Sequence, residues 1–196
     1  MRAATFRQHI WPWYRRNGRH ELPWRKTRDP YKILVSEVML QQTQVSRVIP
    51  KYREFLRAFP TVHALARAPF AAVLLVWQGL GYNRRALNVK RMAEIVMQEY
   101  GGRIPSDPAL VRKLPGVGTA TAGAVAAFAF GRRVAFLETN IRRVFIHFFF
   151  PQGRKVSDAE ILEKITATLP ARNVHEWYWA LMDYGALALA RIPNPN

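Results

Sequence analysis

Cysteine is absent from the 196 residues, and acidic residues are scarce. Without thiols the chain cannot form a disulfide, a thiolate zinc site, an iron–sulfur cluster or a cysteine nucleophile. No apolar run approaches the roughly 20 residues of a membrane span, and the N-terminus lacks the apolar segment of a signal peptide. We therefore expect a cytoplasmic protein that has no membrane partner and no cysteine-bound cofactor.

Basic residues outnumber acidic ones by 30 to 13, which gives a formal net charge of +17. Such an excess on a chain with 49% hydrophobic residues is typical of a folded nucleic-acid binder, because Lys and Arg displace counterions from phosphates. A ribosome-associated or membrane-surface protein would share the charge, but here the basic residues are spread through apolar segments. The charge predicts a nucleic-acid partner and a place beside the nucleoid.

Apolar residues recur with helical spacing, and strand-like alternation is scarce, so the pattern predicts an all-α protein. Asp29-Pro30 has the cap and first-turn residues of a helix that continues to Met39, and Ser157 caps a predicted helix over 158–168. Val134–Leu137 is predicted to be a short extended segment. Further helices are predicted after Thr61 and over 69–77, 87–97, 108–114, 119–130, 139–149 and 175–190.

A glycine-containing turn separates two of these helices, at Leu114-Pro115-Gly116-Val117-Gly118. Glycines let backbone N–H groups approach a phosphate, and the N-terminus of the following helix adds its free N–H groups and its dipole. An ordinary helix connection could have the same turn. With the flanking helices and the net charge, the turn favours a helix–hairpin–helix that grips a DNA backbone without reading sequence.

Two carboxylates stand in unusual positions. Glu37 interrupts the apolar stretch 33–40, where burial would raise its pKa toward the range of a general acid, and Glu138 follows the apolar run 134–137 at a helix start, where it would stay ionised. Such a pair suits an acid and an anion that stabilises a glycosyl cation. A buried salt bridge for Glu37 and a simple helix cap for Glu138 remain open.

Two polar turns are further candidates for DNA contact. Residues 41–44 provide amides and a hydroxyl that can bind base edges, or they form a polar helix face. Residues 79–85 provide an apolar wedge, an aromatic ring and two cations, or they form a surface turn. The histidines lack metal-ligand spacing, and the N-terminal tryptophans are read as core, with Trp24-Arg25 as the exception.

Five motifs then occur in a familiar order: Leu22-Pro23-Trp24-Arg25, Asp29-Pro30-Tyr31-Lys32, Ser36-Glu37-Val38-Met39-Leu40-Gln41-Gln42-Thr43-Gln44, Gly79-Leu80-Gly81-Tyr82 and Leu114-Pro115-Gly116-Val117-Gly118. Together they resemble the helix–hairpin–helix DNA glycosylases related to endonuclease III, and within them the MutY-type adenine glycosylases. The resemblance covers nearly the whole chain.

The resemblance implies a six-helix barrel over 26–135 and a second helical subdomain from 1–25 and 136–196. It implies that Glu37 protonates adenine and activates water, that Glu138 is the second catalytic carboxylate with Asn140 beside it, and that Gln42 and Tyr82 intrude near the opposite base, commonly 8-oxoguanine. The expected base-pocket residues are Trp24, Arg25, Leu40 and Asn140. The expected DNA contacts are Gln41, Gln42, Thr43, Leu80, Gly81, Tyr82, Gly116, Val117, Gly118, Thr119 and Thr121.

Four departures from the family pattern qualify these roles. Glu138-Thr139 stands where the family has Asp-Gly, and Ala120 stands where lyase-competent relatives have a lysine, which implies a monofunctional glycosylase. The four-cysteine iron–sulfur loop is missing, and the sequence ends at Asn196, so no C-terminal 8-oxoguanine recognition domain is expected. The expected cofactor set is therefore empty, except that the hairpin could hold a monovalent cation.

The favoured function is excision of a mispaired adenine, opposite 8-oxoguanine or guanine, from double-stranded DNA by a monomer. One alternative is a glycosylase for thymine or uracil opposite guanine, or for a deaminated purine. Another is a lesion-binding module without catalysis, and a ribosome-associated basic protein is a fourth option. Glu138-Thr139 keeps the base open, and the two carboxylates argue against a pure binder.

Overall fold

A computed structural model describes residues 2–150 and 154–191. Within these ranges the protein is helical and contains no strand, as the sequence pattern predicts. Residues 134–137, expected to be extended, form no strand. None of the helices in the described ranges is long and apolar enough to cross a membrane. The α-helices are α1 Ala3–Asn17, α2 Pro30–Leu40, α3 Val45–Ala58, α4 Val62–Arg67, α5 Phe70–Trp77, α6 Arg84–Glu99, α7 Pro108–Val111, α8 Thr119–Phe130, α9 Thr139–Phe149, α10 Asp158–Thr168 and α11 Val174–Asp183.

The chain divides into two compact units. The central unit, Glu21–Phe130, contains α2–α8 and a 3-10 turn at Pro23–Arg25. The terminal unit, Met1–His20 with Gly131–Asn196, contains α1 and α9–α11. The two ends of the chain therefore belong to one unit, with the central unit inserted between them.

Helix α2 lies in the middle of the central unit. Asp29 caps it by accepting hydrogen bonds from the N–H groups of Tyr31 and Lys32, and Pro30 occupies the first turn, where its missing N–H costs nothing. Helices α3, α6 and α8 and the 3-10 turn pack against it. Neighbours on several sides explain why α2 is apolar around most of its circumference.

The terminal unit has an aromatic core. The ring of Phe6 on α1 meets the rings of Phe145, Phe149 and Trp177 edge-on, at centroid distances of 4.9 to 5.5 Å. Helix α11 continues into a π-helical turn at Tyr184–Ala188. Edge-to-face aromatic packing thus binds helices from both ends of the chain.

Candidate active site and DNA-binding hairpin

Glu37 is a half-exposed carboxylate on a helix whose neighbouring positions are buried. Ser36 and Val38 on either side of it are almost fully covered. The other half-exposed positions at this end of α2 are Leu40 and Gln41, three and four residues further on, which lie on the same helix face. Helices pack against the rest of α2, and this face is the part that they leave partly uncovered. The Glu37 carboxylate is therefore accessible from outside the central unit.

Helices α7 and α8 flank the glycine turn that the sequence predicts to be a helix–hairpin–helix. Gly116 has φ +76° and lies against Asn88 of α6. Gly118 and Thr119 are exposed at the start of α8, and the carbonyl of Gly118 accepts the N–H of Ala122. Because the first N–H groups of a helix have no intrahelical acceptor, this exposed end can bind an anion such as phosphate.

The side chain of Gln41 connects the end of α2 to the hairpin. Its Nε2 donates to the carbonyl of Gly116 over 3.3 Å and to Oγ1 of Thr121 over 3.4 Å. Thr43, in the same turn, donates from Oγ1 to the carbonyl of Leu80 over 3.5 Å. The structure therefore brings together three motifs that are far apart in sequence: residues 41–43, the loop 79–83 and the hairpin.

Three residues assigned from the sequence to the base pocket or to DNA contact are buried in the structure. Leu80 is 2% exposed and so is not the exposed wedge expected of it, while Val117 is 7% exposed and donates its N–H to the carbonyl of Leu114. Trp24 is a core residue whose ring packs edge-on against Tyr52. Sequence periodicity in short loops is too weak to separate such supporting residues from exposed ones. The remaining pocket and contact residues, Arg25, Gln42, Gly81 and Tyr82, are half-buried or exposed, and Tyr82 is 63% exposed.

Glu138 caps α9 in the terminal unit. Its Oε1 accepts the N–H of Ile141 over 2.7 Å, and its Oε2 accepts Nδ2 of Asn140 over 3.1 Å. Burial raises the pKa of the Glu138 carboxyl, while these hydrogen bonds and the charge of Arg19 lower it, and burial dominates. The hydrogen bonds at the helix start favour the ionised form, as expected from the sequence, and desolvation, which the sequence does not show, outweighs them in the direction of the pKa.

Two supporting arrangements were not anticipated from the sequence. Arg19 binds the fully buried Asp183 through its backbone N–H and its guanidinium, with N–O distances of 2.6 to 2.8 Å. Gly185 lies so close to the first turn of α9 that a Cβ there would be 2.4 Å from the carbonyl oxygen of Asn140. The ion pair anchors the start of the π turn, and the glycine lets that turn pack beside Glu138.

Arg85 was also misread from the sequence, as an exposed cation. It is 7% exposed, and its Nη1 and Nη2 donate to oxygen atoms at the end of α2 and in the neighbouring loops, while its Nε has no acceptor in the part of the chain that the structure describes. A signal for its burial was present, since Arg85 lies four residues before Val89 on the stripe that continues to Met92 and Val96. No group of acidic and histidine side chains in the described ranges is arranged to hold a metal ion.

A half-exposed carboxylate on α2, whose end is hydrogen-bonded to a glycine hairpin in an all-helical framework, defines a protein of the helix–hairpin–helix class. Residues 35–170 match the HhH-GPD superfamily of base excision DNA repair proteins, and the chain belongs to this family. The match begins inside α2, so Glu37, the hairpin and Glu138 all fall within it.

The individual proteins to which the chain is similar include several DNA glycosylases. An adenine DNA glycosylase of Buchnera aphidicola subsp. Baizongia pistaciae is 39% identical over 100% of this chain, which covers 56% of that protein. A thymine/uracil-DNA glycosylase of Pyrobaculum aerophilum is 37% identical over 78% of this chain and 66% of its own length. The solved structure of a thermostable thymine-DNA glycosylase has a TM-score of 0.87 at 29% identity, covering 94% of this chain and 86% of that one. The chain thus spans little more than half the length of the first relative.

Proposed function

We propose that this protein is a monofunctional DNA glycosylase that removes a mispaired adenine from double-stranded DNA. The observation that carries the proposal is the half-exposed face of α2, which carries Glu37 and ends at Gln41, whose side chain donates to the hairpin. A flipped base must reach an accessible carboxylate, and a hairpin that grips phosphates holds the strand beside it. The similarity to adenine DNA glycosylases supports adenine as the base.

In the proposed reaction, Glu37 gives a proton to the departing base as the bond from the sugar to the base nitrogen breaks. It then accepts a proton from the water that adds to the sugar, so the carboxyl group is regenerated. Glu138 acts as a carboxylate that stabilises the positive charge on the sugar. Burial raises the pKa of Glu138, but a developing cation nearby favours its charged form, so the carboxylate would be most stable when it is needed.

The second position of α8 is Ala120, whose side chain cannot form a Schiff base with the abasic sugar. The proposal is therefore base removal by water without strand cleavage. Since the chain has no cysteine, the proposed reaction does not use a thiolate-bound iron–sulfur cluster. We propose that the protein acts as a monomer on a duplex containing a mismatch.

The test is a single-turnover assay on end-labelled duplexes with adenine opposite 8-oxoguanine, guanine or cytosine, and with thymine or uracil opposite guanine. We expect abasic product from the adenine duplexes, with strand breaks appearing only after alkali. Glu37→Gln should bind the duplex and lose at least ~10²-fold in rate, as expected for loss of a general acid and base. The matched control is Glu99→Gln, which removes the same negative charge from an exposed residue at the end of α6. It should leave the rate unchanged.

A second candidate is removal of thymine or uracil opposite guanine, which the Pyrobaculum aerophilum relative and the thymine-DNA glycosylase structure favour. Product from the thymine or uracil duplexes and none from the adenine duplexes would select it. Tight lesion binding without abasic product from any duplex would instead indicate a non-catalytic module. Undiminished excision by Glu37→Gln would refute the assigned mechanism.

A further inference from the structure

Arg85, in the first turn of α6, is a buried cation whose two terminal nitrogens donate to oxygen atoms. Its Nε has no acceptor within the described ranges, and the guanidinium lies beside the rings of Trp77 and Tyr82. Its Nη1 donates to the carbonyls of Val38 and Met39 over 3.1 and 2.9 Å, and also to the carbonyl of Gln41. Its Nη2 donates to Oγ1 of Thr43 and to the carbonyls of Leu80 and Gly81 over 2.9 to 3.3 Å. None of the described residues supplies a carboxylate to this guanidinium. Carbonyl dipoles therefore balance its charge.

These partners belong to three separate pieces of backbone. Val38 and Met39 are among the last residues of α2, whose carbonyls carry the negative end of the helix dipole, and the Val38 carbonyl also accepts the N–H of Gln41. Gln41 and Thr43 form the turn that follows, and Leu80 and Gly81 belong to the loop before α6. One planar guanidinium thus joins the end of the Glu37 helix to both turns.

Each of the two turns contains a residue in a strained conformation. Gln42 has φ +53° and Tyr82 has φ +49°, and in the described ranges Asn173 is the one other non-glycine residue with a positive φ. A left-handed conformation costs a residue with a Cβ roughly 1–2 kcal/mol, so it persists only where the surroundings enforce it. The Arg85 guanidinium also lies 5.3 Å from the centroid of the Tyr82 ring. Arg85 thus binds the residues on either side of Gln42, and it binds Gly81 and lies against the ring of Tyr82.

We propose that Arg85 is a positioning residue that holds Gln42 and Tyr82 in fixed register with Glu37. This inference rests on the proposed glycosylase function, in which the two turns contact the partner strand while Glu37 acts on the base. Lysine cannot replace Arg85, because an ammonium group has three donors and lacks the planar fork that spans both turns. The charge would remain, but the link between the turns would not.

The test compares Arg85→Lys with Arg91→Lys, which makes the same change at an exposed position further along α6. Active-site titration gives the fraction of active molecules, and single-turnover rates are expressed per active molecule. We expect Arg85→Lys to lose about tenfold to a hundredfold in this rate, as misplacement by about 1 Å does, while Arg91→Lys stays within twofold. The rate ratio between adenine opposite 8-oxoguanine and adenine opposite cytosine should also fall. Mere loss of folded protein would lower the titrated fraction and leave both the rate and the ratio unchanged.

Amide hydrogen exchange tests the link without reference to catalysis. In Arg85→Lys the amides of 41–43 and 79–83 should exchange faster together, while those in the middle of α8 keep their protection. An inactive wild type with this exchange pattern would refute the proposed function and leave the link intact. An active wild type whose Arg85→Lys variant has the normal rate and normal exchange would refute the positioning role.

Thr43→Val provides a second route if Arg85→Lys does not fold. It removes one acceptor of Nη2 and the Oγ1 donor to the carbonyl of Leu80, and it keeps the size of the side chain and the charge of Arg85. We expect faster exchange in both turns and a several-fold lower rate per active molecule. Unchanged exchange in 79–83 would overturn the proposal, since it would show that the two turns are not connected through the guanidinium.

Discussion

The two hairpin glycines are expected to respond differently to the same substitution. Gly116 has φ +76°, and a Cβ on it would lie 2.4 Å from Nδ2 and 3.2 Å from Cβ of Asn88. Gly118 has no positive φ, and a Cβ on it would meet nothing within 4 Å. The fold therefore requires glycine at position 116 and does not require it at position 118.

The magnitude for Gly116→Ala has two parts. The left-handed conformation costs an alanine roughly 1–2 kcal/mol, and moving the Asn88 side chain off its preferred rotamer costs about 0.5–1.5 kcal/mol. The sum is about 1.5–3.5 kcal/mol, which at roughly 2–4 °C per kcal/mol lowers the melting temperature by on the order of 3–14 °C. Gly118→Ala should cost less than about 1 kcal/mol, the range of an N-terminal cap change.

Gly118→Ala, the more stable of the two variants, is expected to show the weaker binding to DNA. A methyl group at position 118 would project from the exposed end of α8, where the proposed phosphate contact is made, so Gly118→Ala should weaken duplex binding while remaining stable. Urea denaturation and a duplex titration at fixed salt measure the two quantities. In the double variant Gly116→Ala with Asn88→Ala, the free-energy cost of moving the Asn88 side chain should disappear, while the cost of the left-handed backbone at position 116 should remain. Wild-type stability of Gly116→Ala, or equal loss of stability in both single variants, would refute the argument.

Three further predictions concern the terminal unit. Burial raises the pKa of Glu138 above its unfolded value, so the carboxyl stabilises the fold at low pH and loses that contribution as pH rises through the folded pKa. Denaturation curves of Glu138→Gln should therefore show its stability increasing relative to wild type from acid to neutral pH. Its rate of base excision should fall. Arg19→Met removes the guanidinium from the buried carboxylate of Asp183 and keeps the backbone N–H of residue 19, and it should cost about 3 kcal/mol or more in urea. Asp183→Asn should cost less because Arg19 can turn toward solvent. Gly185→Ala must displace the backbone at Asn140, and rapid-quench assays on folded protein should show a greater loss of excision than the change in melting temperature explains.

Helices with clear caps were predictable from the sequence. The helices from Thr139 to Phe149 and from Asp158 to Thr168 have the predicted bounds, the latter with a capping box in which Ser157 and Glu160 satisfy each other. Helix α3 received no assignment, since Pro50 lies inside it and Gln44 makes no side-chain cap, so the usual start and continuation signals are both missing. Local signals, when present, decided the outcome.

The candidate site was only partly predictable, because its geometry depends on contacts between distant segments. Glu37 could be found as a polar residue in an apolar helix, since its cost there is visible in the sequence alone. The role of Arg85 depends on acceptors 42 to 47 positions earlier in the chain, and no local pattern reports them. The raised pKa of Glu138 likewise depends on how much protein surrounds it. Burial and long-range hydrogen bonds are properties of the assembled fold.

The scarcity of acidic residues gives Glu37 a distinctive signature. On a chain with 13 acidic residues against 30 basic ones, a half-exposed carboxylate beside a phosphate-gripping hairpin opposes DNA binding, because its charge repels the backbone within the ~10 Å range of screened interactions. A binding module would gain affinity by replacing it with a neutral residue. In an enzyme that needs the carboxyl for proton transfer, the same replacement would raise DNA affinity and abolish turnover. Tighter duplex binding by Glu37→Gln together with loss of base release would therefore identify a catalytic carboxylate, whereas weaker binding with an unchanged rate would identify a structural one.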